Sequence, residues 1–345
     1  MVRLGIDAEN FARDRRGMGR VARAIARAAL DSGDFGVTFL LRHRRDERAL
    51  RAAFAERTIA VASAGLAARA RHFDVVWFPW NGMRFGSRPP SLLTINDAFA
   101  VSEPHPSSVA RRREQSPIRR GARDATRIVT CSAWSRSEIC AALAIEPERT
   151  VVIPYAPDPF FFPGGNDALM GAWRYLLVVG ARERRKNLRV VVEACAQALV
   201  GPRALLAIVG DVAPADRALL ARLRVPHRLL GDVGDATLRT LYRNARGVAV
   251  PSTGEGFGLV AVEAMACGTA TLAADASALP ETCAGGALLI DPHDVAAWRD
   301  AIRSVVDDDA FATALAARGA ARFAFASRSA PGAAYLALLR TLAAR

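Results

Sequence analysis

Two glutamates eight residues apart occupy a glycine-rich stretch in the second half of the sequence. Glu255 lies between Gly254 and Gly256, and Glu263 follows in a run with helical character. Glycines ahead of a helix leave several backbone N–H groups free to approach a phosphate, and carboxylates accept hydrogen bonds from hydroxyl groups. The stretch therefore predicts a site for a ligand that carries both a phosphate and hydroxyls.

Each glutamate also has a simpler interpretation. Glu255 suits the positive end of a helix dipole, and Glu263 suits an exposed ion pair. However, Glu263 lies within the run 259–266, whose other residues are all Leu, Val, Ala or Met. Such apolar neighbours favour a buried carboxylate with a specific role over a solvated one.

A single lysine stands out in a chain that otherwise uses arginine for its basic residues. Lys186 is the one lysine among 47 basic residues. Its retention indicates a position that needs a compact ammonium group instead of a planar guanidinium, although chance survival is the alternative. The segment 180–187 follows a predicted strand and precedes a predicted helix, where an ammonium group and the helix dipole both favour a phosphate.

Two more segments follow predicted strands in the first half of the sequence. Gly17 and Gly19 precede a predicted helix and allow backbone amides to approach a ligand there, although two glycines are also common in an ordinary turn. Asn96 and Asp97 follow the predicted strand that ends at residue 95, and Asp97 alternatively caps a helix. Both segments are therefore weaker candidates than the first two.

The elements that position these residues follow from the hydrophobic pattern. Short apolar runs alternate with helical periodicity, which predicts parallel sheets with crossover helices. In the first half, the predicted strands are residues 4–7, 37–41, 75–78, 92–95 and 128–130. After a break rich in proline and glycine at 154–165, they are residues 175–179, 205–209, 229–230, 247–250, 269–273 and 287–290. The alternation occurs twice, and a chain of 345 residues is long enough for two domains. Ligands of such sheets bind where strands end and helices begin.

Composition limits the classes of partner and compartment. The formal net charge of +13 favours an anionic partner: nucleic acid, acidic lipid or a phosphorylated substrate. The arginines are dispersed and no nucleic-acid motif accompanies them, so we expect no nucleic-acid partner. The five cysteines are odd in number and never spaced as C-x-x-C, which argues against a disulfide framework or a zinc site and favours a reducing, cytoplasmic compartment. We find neither a signal peptide nor a run of ~18 apolar residues.

The segment 255–268 resembles the E-x7-E signature of the retaining glycosyltransferase family 4. In order and spacing, 179–187 resembles the family's glycine-to-Lys-Asn loop, 208–210 its next strand, and 129–135 its S-x-x-S segment. The resemblance implies an α/β GT-B fold, with two Rossmann-like domains whose parallel sheets face each other across a cleft. It further implies an acceptor-binding domain at 1–160, a donor-binding domain at 168–330, and a last helix, 331–345, packed on the first domain.

The resemblance also implies roles for individual residues. Glu255 and the amides after it hold the donor sugar, Glu263 binds the ribose hydroxyls, and Lys186 binds the diphosphate. The implied donor-binding residues are Gly17, Gly19, Gly180, Arg182, Arg185, Lys186, Glu255, Gly256, Phe257, Gly258, Leu259 and Glu263. The implied catalytic residues are Glu255, Lys186, Asp97 and Asn96.

Two positions depart from the family pattern. Asn96 stands where the family has the histidine of a His-Asp pair, and an amide donates a hydrogen bond but cannot act as an acid or base. Ala181 stands where many members have an arginine that assists the lysine, so Arg182 or Arg185 is expected to compensate.

The function implied is a retaining hexosyltransferase without metal or other cofactor, because a lysine and helix-terminal amides stabilise the charge of the departing diphosphate. The expected donor is a GDP- or UDP-linked sugar, with dTDP as a further candidate and mannose or another hexose as the sugar. The expected acceptor is a glycan or a lipid-linked molecule of a cell-surface polysaccharide such as lipopolysaccharide. The alternatives are a catalytically degenerate GT-B partner subunit, suggested by Asn96 and Ala181, and a nucleotide-sugar epimerase on the same fold.

An arginine-rich stretch in the first half bears on the acceptor. It contains Arg111, Arg112, Arg113, Arg119, Arg120 and Arg123. A functional interpretation predicts attraction to acidic lipid headgroups or a polyprenyl-diphosphate acceptor, and hence a peripheral position at the inner face of the plasma membrane. A solvated helix face is the alternative.

Overall fold

The computed structural model describes residues 1–11, 13–14, 17–67, 72–103, 105–165, 169–171, 173–199, 203–326 and 331–344. The chain divides into two compact units: unit 1 comprises Met1–Tyr155 and Ala330–Arg345, and unit 2 comprises Ala156–Ser329. Arg15 and Arg16, which precede Gly17 and Gly19 in the sequence, lie outside the described residues. The residues 168, 330 and 345, at which we expected domains to begin or end, also lie outside them.

Unit 1 contains a seven-stranded parallel sheet. Its strands are β1 Val2–Asp7, β2 Phe35–Leu41, β3 Ala60–Ser63, β4 Val75–Phe78, β5 Ser91–Thr94, β6 Arg127–Thr130 and β7 Thr150–Val152. They are ordered β3-β2-β1-β4-β5-β6-β7. The helices between them are α1 Gly17–Asp31, α2 Glu47–Ala53, α3 Ala64–Ala67, α4 Phe99–Ser102, α5 Ser108–Asp124 and α6 Ala133–Leu143.

Both faces of this sheet are covered. Successive strand residues alternate between two hydrophobic clusters, so that Trp77 packs in one and Phe78 in the other, as do Leu92 and Leu93. Burial on both faces explains why these strands are continuous apolar runs without polar alternation, as parallel sheets generally are.

Unit 2 contains a six-stranded parallel sheet. Its strands are β8 Arg174–Val179, β9 Ala204–Val209, β10 His227–Gly231, β11 Gly247–Val250, β12 Thr271–Ala274 and β13 Leu288–Ile290. They are ordered β10-β9-β8-β11-β12-β13. Its helices are α7 Leu188–Ala198, α8 Pro214–Arg222, α9 Asp235–Asn244, α10 Leu259–Ala266, α11 Leu279–Cys283, α12 Val295–Asp307 and α13 Asp309–Ala326.

The last helix of the chain, α14 at Pro331–Ala343, returns to unit 1. It contacts α1 and strands β4 and β5. Its buried side chains follow helical spacing and include Tyr335, Leu336 and Leu339, which join the same hydrophobic cluster as Trp77. Among the helices of the described residues, none has the length and apolar character to cross a membrane.

The α/β fold with two parallel sheets agrees with the sequence prediction, but two strands of the structure were not predicted. Residues 60–63 and 150–152 form β3 and β7, the two edges of the unit 1 sheet.

In each sheet the strand order reverses once, between β1 and β4 and between β8 and β11. In open α/β sheets such a reversal marks the place where ligands bind, outside the carboxyl ends of the strands.

Candidate functional site

Lys186 and Glu255 form a close ion pair at the reversal point of the unit 2 sheet. Lys186 follows β8 and Glu255 follows β11, so two neighbouring strand ends bring the residues together. The Lys186 Nζ lies 2.7 Å from Glu255 Oε1. The hydroxyl of Ser252 donates to the same carboxylate oxygen at 2.8 Å.

Glu255 remains ionised although it is buried. Burial raises the pKa of this carboxyl, but the charges of Lys186 and Arg185 and the hydrogen bonds from Lys186 and Ser252 outweigh that effect. The pKa of Glu255 therefore lies below its usual range. The site thus presents a fixed negative charge beside a cation, an arrangement that is expensive to bury without a role.

Of the two arginines expected to compensate for Ala181, one lies at this pair. Arg185 donates from Nη1 to the carbonyl of Gly254 at 2.7 Å, and the same atom lies 3.4 Å from Glu255 Oε2. Arg182 instead pairs with Asp211 at 3.2 Å, and both of these side chains are about two-thirds exposed or more. Arg185 is therefore the arginine that the fold positions beside Lys186.

Backbone contacts fix the loops that carry the pair. Thr253 N donates to the carbonyl of Arg185 at 2.8 Å. The side-chain amide of Asn187 donates to the carbonyls of Pro251, at 3.2 Å, and Pro292, at 2.8 Å. Asn187 thereby ties the loop after β8 to the loops after β11 and β13, which accounts for the Lys-Asn pair at this point.

The glycine-rich loop after β11 needs glycine for conformation as well as for access. Gly258 has φ +92°, and a Cβ there would lie 2.5 Å from Leu279 Cδ2. Gly256, Phe257 and Leu259 complete the turn into α10. Gly180, at the end of β8, also has a positive φ of 75°.

Glu263 is deeply buried, as its apolar neighbours indicated. Its exposed fraction is 3%, and the hydroxyl of Tyr242, on α9, donates to its Oε2 at 3.1 Å. Tyr242 is fully buried and packs edge-on against Phe161. The hydrogen bond from a rigid tyrosine fixes the orientation of this carboxylate.

Unit 1 holds the other predicted residues. Asn96 is buried, its backbone N–H donates to Asn81 Oδ1 at 2.8 Å, and its carbonyl accepts from Ser135 Oγ at 2.8 Å. Asp97 Oδ1 accepts a hydrogen bond from the backbone N–H of Phe99, the first residue of α4, at 3.3 Å. This contact resembles the helix cap that was the alternative interpretation of Asp97.

The contacts around Gly17 and Gly19 explain why glycine is needed at one of these two positions. Helix α1 begins at Gly17, and a Cβ at Gly19 would collide with the carbonyl oxygen of Asp14. Arg23 donates to that same carbonyl at 2.7 Å. The close approach of the Asp14 carbonyl therefore requires glycine at position 19.

No metal-binding cluster of three or more His, Cys, Asp or Glu side chains occurs in the part of the chain that the structure describes. The five cysteines are free thiols, and burial raises the pKa of Cys131 to about 12.

Three residues at these sites were not singled out from the sequence: Ser252, Tyr242 and Tyr155. Ser252 stands three residues before Glu255 in the same loop, so its position was a usable signal. Tyr242 reaches Glu263 across 21 residues, and Tyr155 reaches Asn96 across 59. No local motif indicates either of those two contacts.

Residues 172–322 match the family model of glycosyl transferases group 1. The O-antigen chain mannosyltransferase B of Escherichia coli is 30% identical over 249 residues, which is 67% of this chain and 65% of that protein. A D-inositol 3-phosphate glycosyltransferase of Corynebacterium kroppenstedtii is 33% identical over 264 residues, 68% of this chain and 57% of that protein. The chain thus spans less than two thirds of the length of these relatives.

Solved structures share the whole fold. The Anabaena protein HepE in complex with UDP-glucose aligns with a TM-score of 0.78 at 18% identity, and sucrose-phosphate synthase from Thermosynechococcus elongatus aligns with 0.76 at 20%. Both alignments cover 100% of each chain. At such identities the likeness concerns the fold, whereas the family follows from the sequence matches. This chain belongs to the group 1 (family 4) glycosyl transferases and has the GT-B fold.

Proposed function

We propose that the chain is a retaining glycosyltransferase that moves a hexose from a nucleoside-diphosphate sugar to a glycan or lipid-linked acceptor without a metal ion. The observation that carries the proposal is the Lys186–Glu255 pair at the reversal point of the unit 2 sheet, with Arg185 and Ser252 in contact with it. A fixed cation and a fixed carboxylate at strand ends suit a ligand with a diphosphate and a sugar.

The chemical demand of this reaction is the departure of a nucleoside diphosphate. Negative charge grows on the diphosphate oxygen as the bond to the sugar breaks, and a preorganised cation stabilises that charge. In this proposal Lys186, assisted by Arg185, supplies the positive charge. The ionised carboxylate of Glu255 accepts hydrogen bonds from sugar hydroxyls, and Glu263, oriented by Tyr242, accepts those of the ribose.

The donor in this proposal is a GDP- or UDP-linked hexose, with dTDP as the further candidate. The relative from Escherichia coli is named a mannosyltransferase, and the structure of HepE holds UDP-glucose. Both names support a hexose as the sugar, and the second supports UDP as the nucleotide.

The first test is thermal unfolding without added metal against GDP, UDP, dTDP, ADP and their sugar derivatives. A ligand at about a hundred times its dissociation constant adds ~2.7 kcal/mol of stability. We expect one nucleotide series to stabilise the wild type, Arg185→Ala to reduce the effect, and Arg182→Ala to leave it unchanged as the matched exposed control.

The stabilising nucleotide sugar is then incubated with candidate acceptors, and the anomeric configuration of the product is determined by NMR. Retention of configuration supports the proposal. An epimerised nucleotide sugar formed without acceptor would indicate the epimerase alternative. Stabilisation by no nucleotide would remove the donor site from this chain and favour the degenerate partner subunit.

The arginine-rich helix α5 supports an acidic membrane surface as the place of the acceptor. All six of the arginines named for this stretch are exposed. Clustered arginines near an anionic leaflet each contribute about 1 kcal/mol of attraction, and salt screens it. Co-sedimentation with phosphatidylglycerol vesicles that is reversed by salt, and is absent with phosphatidylcholine, supports this part of the proposal. Equal binding to both lipids contradicts it.

A further inference from the structure

The loop after β12 holds the main chain of Glu255 at two points. The backbone N–H of Glu255 donates to Ser277 Oγ at 2.9 Å, and the carbonyl of Glu255 accepts from the backbone N–H of Ala278 at 3.3 Å. Strand β12 is the hydrogen-bonded neighbour of β11, so the two loops leave adjacent strand ends. The peptide groups on both sides of Glu255 are therefore fixed by one neighbouring loop.

The direction of the hydrogen bond between Ser277 and Glu255 is unambiguous. A backbone N–H can only donate, and a carbonyl oxygen can only accept. The Ser277 hydroxyl donates its single proton to the carbonyl of Ala276 at 2.7 Å, which leaves its lone pairs for the Glu255 N–H. Ser277 Oγ is thus the acceptor of this hydrogen bond.

A further contact joins the same segment to the other end of the glycine-rich loop. Helix α11 begins at Leu279, and a Cβ on Gly258 would lie 2.5 Å from Leu279 Cδ2. Glu255 and Gly258 therefore both lie against the segment 277–279. The position of the Glu255 main chain depends on this segment as well as on its own loop.

Ser277 has a backbone conformation that serine rarely adopts. Its φ is +54°, in the left-handed region that favours glycine. Arg224 and Ala284 also have positive φ, but they follow helices α8 and α11, where a left-handed residue is a common helix end. Ser277 precedes a helix, so that explanation does not apply to it.

The hydroxyl and the backbone conformation of Ser277 make opposite demands on the residue type. Glycine at this position would relieve the strain, but it would also remove the acceptor of the Glu255 N–H. Strain of this kind persists where the surrounding structure enforces it, and it is concentrated at functional sites. The strained serine therefore favours the contact with Glu255 over an unstrained backbone.

The side chain of Glu255 is held separately from its main chain. Lys186 and Arg185, from the loop after β8, and Ser252 contact the carboxylate. The contact with Ser277 fixes the main chain from which this carboxylate extends. We therefore expect loss of the Ser277 hydroxyl to displace the carboxylate and to leave the two cations, which belong to another loop, in place.

We propose that Ser277 is a positioning residue that holds Glu255 for the sugar of the donor, with its hydroxyl as the acceptor of the Glu255 N–H. This role rests on the proposed function, in which Glu255 accepts hydrogen bonds from sugar hydroxyls and Lys186 binds the diphosphate. Ser277 then affects the binding of the sugar part of the donor and not that of the diphosphate.

Ser277→Gly and Ser277→Ala test this role together, because both remove the hydroxyl but only glycine relieves the strain. We expect Ser277→Gly to be the more stable of the two in urea unfolding. In both variants the Kd for UDP-glucose or GDP-mannose, whichever the wild type binds, should rise about tenfold through the lost hydrogen bond. The Kd for the corresponding nucleoside diphosphate should be unchanged. A merely structural role would instead weaken both ligands, and more so in the less stable variant.

Arg224→Gly is the matched control for relief of strain. Arg224 is exposed, belongs to unit 2 and has a φ of +52°, so glycine there relieves the same kind of strain without contact to Glu255. Both dissociation constants should stay at their wild-type values in this variant.

The outcomes separate this inference from the proposed function. Wild-type affinity for the nucleotide sugar in Ser277→Gly would overturn the role of Ser277. An equal loss of affinity for the nucleoside diphosphate would also overturn it, because the whole site would then be disturbed. In both cases the wild type still binds its donor, and the proposed function stands. A wild type that binds neither nucleotides nor their sugars would overturn the proposed function and, with it, the role of Ser277.

Discussion

Lys186 Nζ lies 2.7 Å from Glu255 Oε1, although 69 residues separate the two along the chain. Strands β8 and β11 are hydrogen-bonded neighbours, and each residue follows the carboxyl end of its strand. A parallel α/β sheet thus converts two distant loops into one site where its strand order reverses. The pair belongs to the proposed donor site, and substitution of either charged residue tests its role directly.

Lys186→Met should abolish nucleotide-dependent stabilisation, because it removes the ammonium group and leaves a side chain of similar length. It should also lower the stability of the unliganded protein by about 3 kcal/mol, since removal of one partner of a buried ion pair leaves the other charge uncompensated. Urea unfolding with and without nucleotide measures both effects.

Arg182→Met is the control for Lys186→Met. It removes an exposed cation in the same loop, whose pair with Asp211 contributes little. If both variants lose nucleotide binding equally, general loss of positive charge explains the result and the specific role of Lys186 is wrong.

The acid sensitivity of the protein should depend in part on Glu255. Its pKa is lower in the folded protein than in the unfolded chain, so its contribution to stability is complete above the unfolded pKa of about 4.5 and is lost as the pH falls below it. Glu255→Gln removes this titration. We therefore expect the free energy of unfolding to fall less steeply below about pH 4.5 in the variant than in the wild type.

Chemical denaturation at a series of pH values measures that slope. Asp211→Asn serves as a control, because both side chains of the Arg182–Asp211 ion pair are mostly exposed and such a pair contributes little to stability. An identical slope in wild type and Glu255→Gln would show that the pair with Lys186 does not hold the carboxylate ionised.

The sequence predicted the central strands of both sheets but not the edges of the first. Strand β3, at 60–63, contains small, partly exposed residues, and β7, at 150–152, has only three residues. Their order arises from pairing with β2 and β6, which a local pattern cannot encode. The site divides in the same way. Loop spacing indicated Lys186 and Glu255, whereas the tyrosines that contact Asn96 and Glu263 come from other parts of the chain.

The buried carboxyl of Asp7, at the end of β1, gives a prediction of opposite sign. Burial, together with the nearby charge of Glu9, raises its pKa to about 7, against the lowering effects of a backbone hydrogen bond and of Arg84 and Arg42. An acid with a higher pKa in the folded state stabilises the fold when it is protonated. That contribution is complete below about pH 3.8, declines as the pH rises, and is lost above about 7.

Asp7→Asn should therefore stabilise the protein at about pH 8, by an amount on the order of 4 kcal/mol at most, and have little effect near pH 4. Asparagine has nearly the same shape as the protonated acid but carries no charge at any pH. Urea unfolding at several pH values measures the difference. Destabilisation at alkaline pH by Asp7→Asn would show that the ionised carboxylate is needed at this strand end.

Gly258→Ala should destabilise unit 2 by about 1–3 kcal/mol and weaken nucleotide binding. The φ of +92° is unfavourable for alanine, and the new Cβ would lie 2.5 Å from Leu279 Cδ2. Relief of this contact moves the loop that carries Glu255. Gly234→Ala is the matched control, because Gly234 has a negative φ and open space around it. Thermal unfolding with and without nucleotide should show both losses in Gly258→Ala and neither in Gly234→Ala. Unchanged nucleotide binding in a destabilised Gly258→Ala would mean that the conformation of this loop is not what positions Glu255 for the donor.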